Sequence, residues 1–252
     1  MDRDARVALK PPLARQPFAI EEHIIAAHQG IYFMNKPTGW PTSGRTLDDE
    51  ACVQFQLMQY TRKKIWAVHQ LDADTSGVNV FTHRKSSVPY WQKRLHFPSA
   101  QKEYLALVHG RIDQPLTITA PIGRKADGSW GVTANGKSAR TQIIPVHAND
   151  EFSLLRIQLR TGRTHQIRVH LEHVGHSLVG EFWYNHAPCL LADRHMLHAW
   201  RTTFDDRDDI AGVVAPLPED LRACAQKIGI TIPDIIDRES PFQPRFRLRK
   251  QG

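Results

Sequence analysis

The stretch His69-Gln70-Leu71-Asp72-Ala73-Asp74-Thr75-Ser76-Gly77 constrains this chain more than any other, because it sets carboxylates in a tight polar turn between two apolar segments. Ile65-Trp66-Ala67-Val68 leads into it, Val78-Asn79-Val80-Phe81 leaves it, and both read as short buried strands. An acid is thereby held at the mouth of a sheet. As turn chemistry alone, Asp72 or Asp74 satisfies backbone donors in an Asx-type turn. As a site, the same carboxylate is placed to do chemistry, and the rest of the chain decides between the two.

Before the turn, Ile31 to Asn35 reads as a strand that runs into Lys36-Pro37-Thr38-Gly39, where Pro and Gly end it. Residues 48–60 suit a helix with Val53, Phe55, Leu57 and Met58 as its apolar face and Asp48 or Asp49 against its positive end. A second helix is expected over 87–97. Tyr104 to Val108 reads as a strand closed by Gly110, and Ser153 to Leu159 alternates so that Leu155, Ile157 and Leu159 share a face. Residues 165–174 then take helical spacing, with Ile167, His170, Leu171 and Val174 on one side and Gly175 as the stop. A strand over 196–204 and a helix over 218–228 complete the reading. The expected organisation is an N-terminal arm at 1–17, one domain over 18–230 and a basic tail at 231–252.

At 252 residues, the chain can bury a core without disulfides or metal. Its three cysteines, Cys52, Cys189 and Cys224, form no C-x-x-C pair, which points away from a zinc ribbon or disulfide framework and fits a reducing cytoplasm. No run approaches the roughly 20 apolar residues of a membrane span. Lys and Arg number 33 against 26 Asp and Glu, a net charge of +7 that favours polyanionic partners. In the tail, Arg245, Arg247, Arg249 and Lys250 interleave with Phe242 and Phe246, a composition that either tracks an RNA backbone or forms a solvated end.

Five segments in register carry a resemblance: Asn35 to Gly39, His69 to Gly77, Lys102 to Gly110, Thr161 to Leu171 and Leu197-His198-Ala199. Together, from about Ile31 to about Leu221, they resemble the RluA-type pseudouridine synthases. The resemblance implies an α+β fold with a large mixed, mostly antiparallel sheet and flanking helices. It implies isomerisation of a uridine in tRNA or ribosomal RNA, without cofactor and without metal. By the same resemblance Asp72 is the essential acid, Arg168 the arginine paired with it, and Tyr104 the ring that stacks on the uracil and whose hydroxyl helps remove the C5 proton. The other motif positions, His69, Gln70, Thr75, Ser76, Arg163, His165 and Gln166, are expected to face the substrate. Lys137 and Arg140 join Arg163 as phosphate contacts. A carboxylate in a pocket that excludes water needs such a cation to offset desolvation. RNA is the expected partner, with no membrane and no obligate protein partner, so that the protein acts as a monomer. With 30 residues before Ile31, no independently folded RNA-binding domain is expected there.

The chain departs from the family at Gln70, where arginine is usual, at Ser177, where proline is usual, and at Glu181, where aspartate is usual. Gln70 cannot clamp a phosphate as arginine does. That loss keeps a weakly active or inactive RNA-binding module as an alternative. Two other readings compete: His165, His170, His173 and His176 as zinc ligands, and Asp72 with Asp74 as a two-carboxylate hydrolase.

Overall fold

The computed structural model describes residues 13–185, 191–204 and 212–238. Strands β1 (Ile24–His28) and β2 (Ile31–Lys36) form a hairpin, followed by helix α1 (Val53–Thr61), the short β3 (Trp66–Ala67) and β4 (Ser76–Thr82). Helix α2 (Val88–Leu95) precedes β5 (Gln101–His109) and β6 (Leu116–Ile118), and a separate hairpin joins β7 (Ile122–Arg124) to β8 (Trp130–Val132). Strands β9 (Thr141–Ala148) and β10 (Phe152–Leu159), helix α3 (Gln166–His173), strands β11 (Leu197–Thr203) and β12 (Gly212–Val214), and helices α4 (Glu219–Lys227) and α5 (Asp234–Arg238) follow.

Among the described residues, ten strands make one mixed sheet in the order β1-β2-β4-β11-β5-β10-β9-β6, with β3 beside β4 and β12 beside β11. Only the β4–β11 join is parallel, so the fold is α+β with a mostly antiparallel sheet. At that join Ser76 opposes His198 and Gly77 opposes Ala199. Gly77 has φ +108°, and a Cβ there would lie 2.1 Å from the Ala199 carbonyl oxygen, so only glycine permits the approach. The turn bearing Asp72 is thus delivered to the middle of the sheet.

The two-residue period of a strand sorts β5 between two cores. Tyr104, Ala106 and Val108 join Leu155, Ile157 and Leu159 beneath Ile167 and Leu171 of α3. Leu105 and Leu107 face the other way, onto Leu221, Cys224 and Ala225 of α4. The opposite half of the sheet is closed by α1, through Val53 and Leu57 against Met34 and Phe81, and by α2, through Leu95 against Val78 and Val80. Phe33, Leu57, Leu105 and Leu107 are fully buried. Each such side chain contributes about 1.5–3 kcal/mol relative to exposure.

Several elements differ from the sequence reading in instructive ways. Helix α1 begins at Val53 rather than at residue 48, because Asp49 is spent on a turn: its carboxylate accepts from the backbone N–H of Arg45 and Ala51. Cys52 caps the helix instead, its Sγ accepting from the Phe55 N–H. Val53, Gln54 and Leu57 form its buried face, and Phe55 and Met58 lie at the margin. Of residues 65–68 only Trp66 and Ala67 pair as a strand. Val174 caps α3 and is exposed rather than joining its buried side.

Strand β9 hides in the sequence because Pro145 interrupts its pattern; Pro145 sits where the register with β10 shifts between Leu154 and Leu155. At the N-terminal side, residues 13–16 run beside the loop after β2, where Trp40 Nε1 donates to the Gln16 carbonyl at 3.0 Å. The rest of the expected arm, Cys189 and the aromatic and basic tail from Pro241 lie outside the described residues.

Candidate active site

Asp72 stands on a turn whose backbone is fastened from beneath. Thr42 Oγ1 donates to the Leu71 carbonyl at 3.3 Å and accepts from the Leu71 N–H at 3.0 Å. Lys36 Nζ donates to the Ala73 carbonyl at 2.7 Å, and Arg194 Nη1 to that of Asp74 at 3.0 Å. Lys36 is fully buried and also serves the carbonyls of Pro37 at 2.9 Å and Trp40 at 2.8 Å. Burial, and then the charge of Arg194, lower its pKa to about 7. Arg194 is anchored by Asp220, which accepts from Nε at 2.6 Å and from Nη2 at 2.9 Å. Two buried basic side chains therefore fix the path of the turn, and the Asp72 side chain, 26% exposed, projects from it.

The first turn of α3 brings Arg168 to that carboxylate. Its Nη1 donates to Asp72 Oδ2 at 2.9 Å, while Nε and Nη2 donate to Glu181 Oε2 and Oε1 at 2.8 Å each. Glu181 Oε1 also accepts from the backbone N–H of Phe182 at 3.0 Å and Trp183 at 2.9 Å. Burial opposes both charges. For Glu181, Arg168 overrides it and holds the carboxyl below its ordinary value. For Arg168, Glu181 and then Asp72 override it and hold the guanidinium above its ordinary value.

His165, in a left-handed conformation with φ 55°, precedes α3 and reaches Asp72 from another side, Nε2 to Oδ1 at 3.6 Å. Its Nδ1 hydrogen-bonds the Tyr184 hydroxyl. The Arg168 guanidinium lies over the Tyr184 ring, 5.0 Å from its centre. Burial lowers the His165 pKa, outweighing the pull of Asp72, and burial pushes the Tyr184 phenol up to about 12. Burial thus favours a neutral ring beside a protonated phenol, and the two share one hydrogen bond at Nδ1.

Asp72, His165 and Arg168 open onto a cavity of about 710 Å³ whose wall also includes His69, Lys102 and Tyr104. Its size suits a small-molecule fragment such as a nucleoside. Tyr104 is a buried part of that wall, and burial followed by the Asp72 charge raises its phenol above the ordinary value. His69 Nε2 accepts from the Val80 N–H at 3.2 Å; burial, then Lys102, lower its pKa to about 3, so its ring is neutral.

Other expected substrate contacts are placed differently. Ser76 is buried and hydrogen-bonded to His198 Nδ1 at 2.9 Å, because the parallel β4–β11 join seals it from the cavity. Thr75 borders the cavity but is 2% exposed, with Oγ1 bonded to His195 Nε2 at 2.9 Å. Gln166 is a staple: its amide accepts from Thr161 Oγ1 and the Arg163 N–H and donates to the Arg140 carbonyl and Thr141 Oγ1. Lys137 and Arg140 are exposed and lie off the cavity wall. Arg163 is on that wall, its Nε donating to the Ser138 carbonyl at 2.9 Å. Gln70 is exposed at the rim and bonded to Ser43 Oγ at 2.9 Å.

The proposed zinc histidines point to different groups: His170 to Thr141 Oγ1 and the Ala120 carbonyl, and His176 to the His109 carbonyl. Among the described residues no three His, Cys, Asp or Glu are placed to hold a metal ion, and no helix is long and apolar enough to cross a membrane.

Glu181, Tyr184, Lys36 and Arg194 had no assigned part in the sequence reading. One signal was present: a buried Arg168 needs more than one acceptor, and Glu181 is the only acid between Glu172 and Asp193.

The RNA pseudouridylate synthase family model matches residues 30–173. An uncharacterized RNA pseudouridine synthase of Mycoplasma pneumoniae is 34% identical over 181 residues, covering 68% of this chain and 58% of that protein. The ribosomal large subunit pseudouridine synthase D of Nitrosomonas europaea is 35% identical over 185 residues, 69% of this chain and 53% of that one. An uncharacterized RNA pseudouridine synthase of Mycobacterium bovis is 32% identical over 230 residues, 84% of this chain and 74% of that one. Against the first two, the chain spans little more than half of the relative's length. Among solved structures, human RNA Pseudouridylate Synthase Domain Containing 1 superposes with a TM-score of 0.64 at 26% identity, covering 83% of this chain and 90% of that one. Human RNA Pseudouridylate Synthase Domain Containing 4 shares the fold, with a TM-score of 0.69 at 21% identity over 85% and 95% of the two chains.

Proposed function

The chain belongs to the RNA pseudouridylate synthase family, of the RluA type, and on that premise we propose that it isomerises a uridine of RNA to pseudouridine. The observation that carries the reading is the Asp72 carboxylate at the mouth of a nucleoside-sized cavity, held by Arg168 at 2.9 Å with the His165 ring beside it at 3.6 Å.

In the reaction the N1–C1′ bond breaks, the freed uracil turns, and a C5–C1′ bond forms; the proton on C5 is lost and N1 ends protonated. The change is redox-neutral and hydrolyses nothing, so it needs no cofactor. The target base must leave its stack to enter the cavity, at a cost of a few kcal/mol. Asp72 then meets the ribose. Attack at C1′ to hold the sugar covalently, or removal of the C2′ proton to give a glycal, each uses this one carboxylate. Arg168 keeps it aimed, and Glu181 and Tyr184 keep Arg168 aimed. Tyr104 is the face on which the uracil stacks, and its hydroxyl, protonated at neutral pH, takes the C5 proton as it gives its own to the Asp72 carboxylate freed when the C5–C1′ bond forms.

The finer parts of the reading are the RNA and its compartment. The net charge of +7 favours a polyanionic partner and the ribosomal name of one relative favours ribosomal RNA, with transfer RNA as the other candidate; a cytoplasmic location and action as a monomer belong to the same proposal. Arg163 is the phosphate contact on the cavity wall, while Lys137 and Arg140 lie where only RNA flanking the target reaches them. Transcriptome-wide mapping of pseudouridine in cells with and without the gene tests this. Loss of one or a few sites in such RNAs is expected, and an unchanged map contradicts it.

A further inference from the structure

Part of the cavity wall carries positive charge that the Asp72 network does not use. Lys102 sits two residues before Tyr104 on β5, hence on the same face and about 7 Å farther along the strand. It lines the cavity, yet its ammonium has no hydrogen-bond or ion-pair partner among the described residues. Its neighbour Glu103 faces the other way, toward Gln158, Arg156 and Arg201. Burial lowers the Lys102 pKa to about 8, the mark of a cation stripped of water without a counter-ion.

His96, just past α2, faces the same space. Its Nδ1 is tied to the Gln92 carbonyl at 2.7 Å, which fixes the ring and leaves Nε2 free. Between the two lies Gly162. A Cβ built there would be 4.0 Å from Lys102 Nζ and 4.0 Å from His96 Nε2, with nothing nearer. The backbone of Gly162 is not left-handed, so glycine is not demanded by conformation; its effect is a hollow bounded by two nitrogens. A phosphate seated in the cavity in front of Gly162 takes a charge-assisted bond of roughly 2.7–2.9 Å from the Lys102 ammonium, and a second from His96 Nε2 once its charge protonates that ring, whose Nδ1 already donates to the Gln92 carbonyl. The cavity wall has one carboxylate, Asp72, and that is already engaged by Arg168 and His165.

We propose that Lys102, His96 and the hollow over Gly162 form a phosphodiester subsite that seats an RNA backbone phosphate beside the everted nucleotide. The inference rests on the RNA-isomerising reading of the cavity. With the base on Tyr104 and the sugar at Asp72, a phosphate of the same nucleotide lies within reach of Lys102 along the strand. Gln70 is neutral and held by Ser43 at the rim, so the half-buried Lys102 is the cation that draws this phosphate inward.

The probe is oligouridylate, bound by the full-length protein at a series of salt concentrations. Removing one phosphate contact lowers the slope of log affinity against log salt by about 1. Lys102→Met is expected to show that loss, and His96→Gln to weaken binding. Gly162→Ala meets only ordinary van der Waals contacts, so it folds normally and weakens binding by filling the hollow. Wild-type slope in Lys102→Met overturns the subsite. Wild-type affinity in Gly162→Ala also overturns it, because the lysine would then act elsewhere. Release of tritium from C5-labelled uridine in RNA by the wild type reports separately on the reaction. An active enzyme with unchanged slopes loses only the subsite, whereas a protein with the expected slopes and no release loses only the reaction.

Discussion

Glu181 grips Arg168 from the side away from Asp72, both carboxylate oxygens accepting at 2.8 Å, which leaves Nη1 alone to meet the catalytic candidate. Both groups are almost fully buried, so neither charge is tolerable without the other. Glu181→Gln is therefore expected to cost about 3–5 kcal/mol, read as a lower denaturant midpoint at unchanged slope. The pH sign follows from the depressed native pKa of Glu181. Its contribution is fully present above its unfolded value of about 4.3 and is lost as pH falls through the native value. Wild type should lose stability relative to Glu181→Gln over that acid window, and a constant difference contradicts the pairing.

Arg168 serves three acceptors through one planar fork, a task a single ammonium cannot copy. Arg168→Met should abolish turnover while affecting RNA affinity far less, and Arg168→Lys should not rescue it. Near-normal turnover in either variant rules out the proposed pairing.

Burial and the Asp72 charge hold the Tyr104 phenol above its ordinary pKa, so the hydroxyl works protonated. Tyr104→Phe keeps the stacking face and should slow loss of the C5 proton by about 10²-fold with RNA binding unchanged. In the wild type, rate should not rise with phenol ionisation below about pH 10. A fully active Tyr104→Phe removes the hydroxyl from the mechanism.

Lys36 gathers three carbonyls beneath the Asp72 turn, and Lys36→Met leaves them without a donor, at about 1–3 kcal/mol for each buried group left unpaired. Its native pKa of about 7 lies below the roughly 10.4 of an unfolded lysine. Between those values the unfolded chain holds more protons, so this residue makes wild-type stability rise with pH. The stability gap between wild type and Lys36→Met should widen from about pH 6 to about pH 9 by thermal or denaturant unfolding. A gap independent of pH contradicts the burial of a titrating amine.

Much of this architecture was legible where apolar spacing was undisturbed. Ile167 and Leu171 mark α3, Leu155 and Ile157 mark β10, and Gly175, at φ +84°, marks the helix stop. Strand β9 was not legible because Pro145 breaks its period and only a register shift in the sheet absorbs it. At the site, 96 residues separate Asp72 from Arg168, so only motif order, and no local pattern, links them. Thr75 and Ser76 look accessible beside a polar turn, yet both are buried, Ser76 by the parallel join with β11 and Thr75 with its hydroxyl bonded to His195. Gln166 looks like a base reader and is instead consumed by four local hydrogen bonds. Burial and hydrogen-bond demand, which depend on strand order rather than residue type, account for these differences.

The most direct measurement follows tritium freed from RNA carrying uridine labelled at C5, using wild type and Asp72→Asn at matched RNA occupancy. Wild type should release label and Asp72→Asn should release none while binding the RNA equally well. Release at the wild-type rate from Asp72→Asn, or none from the wild type on any cellular RNA, contradicts the account.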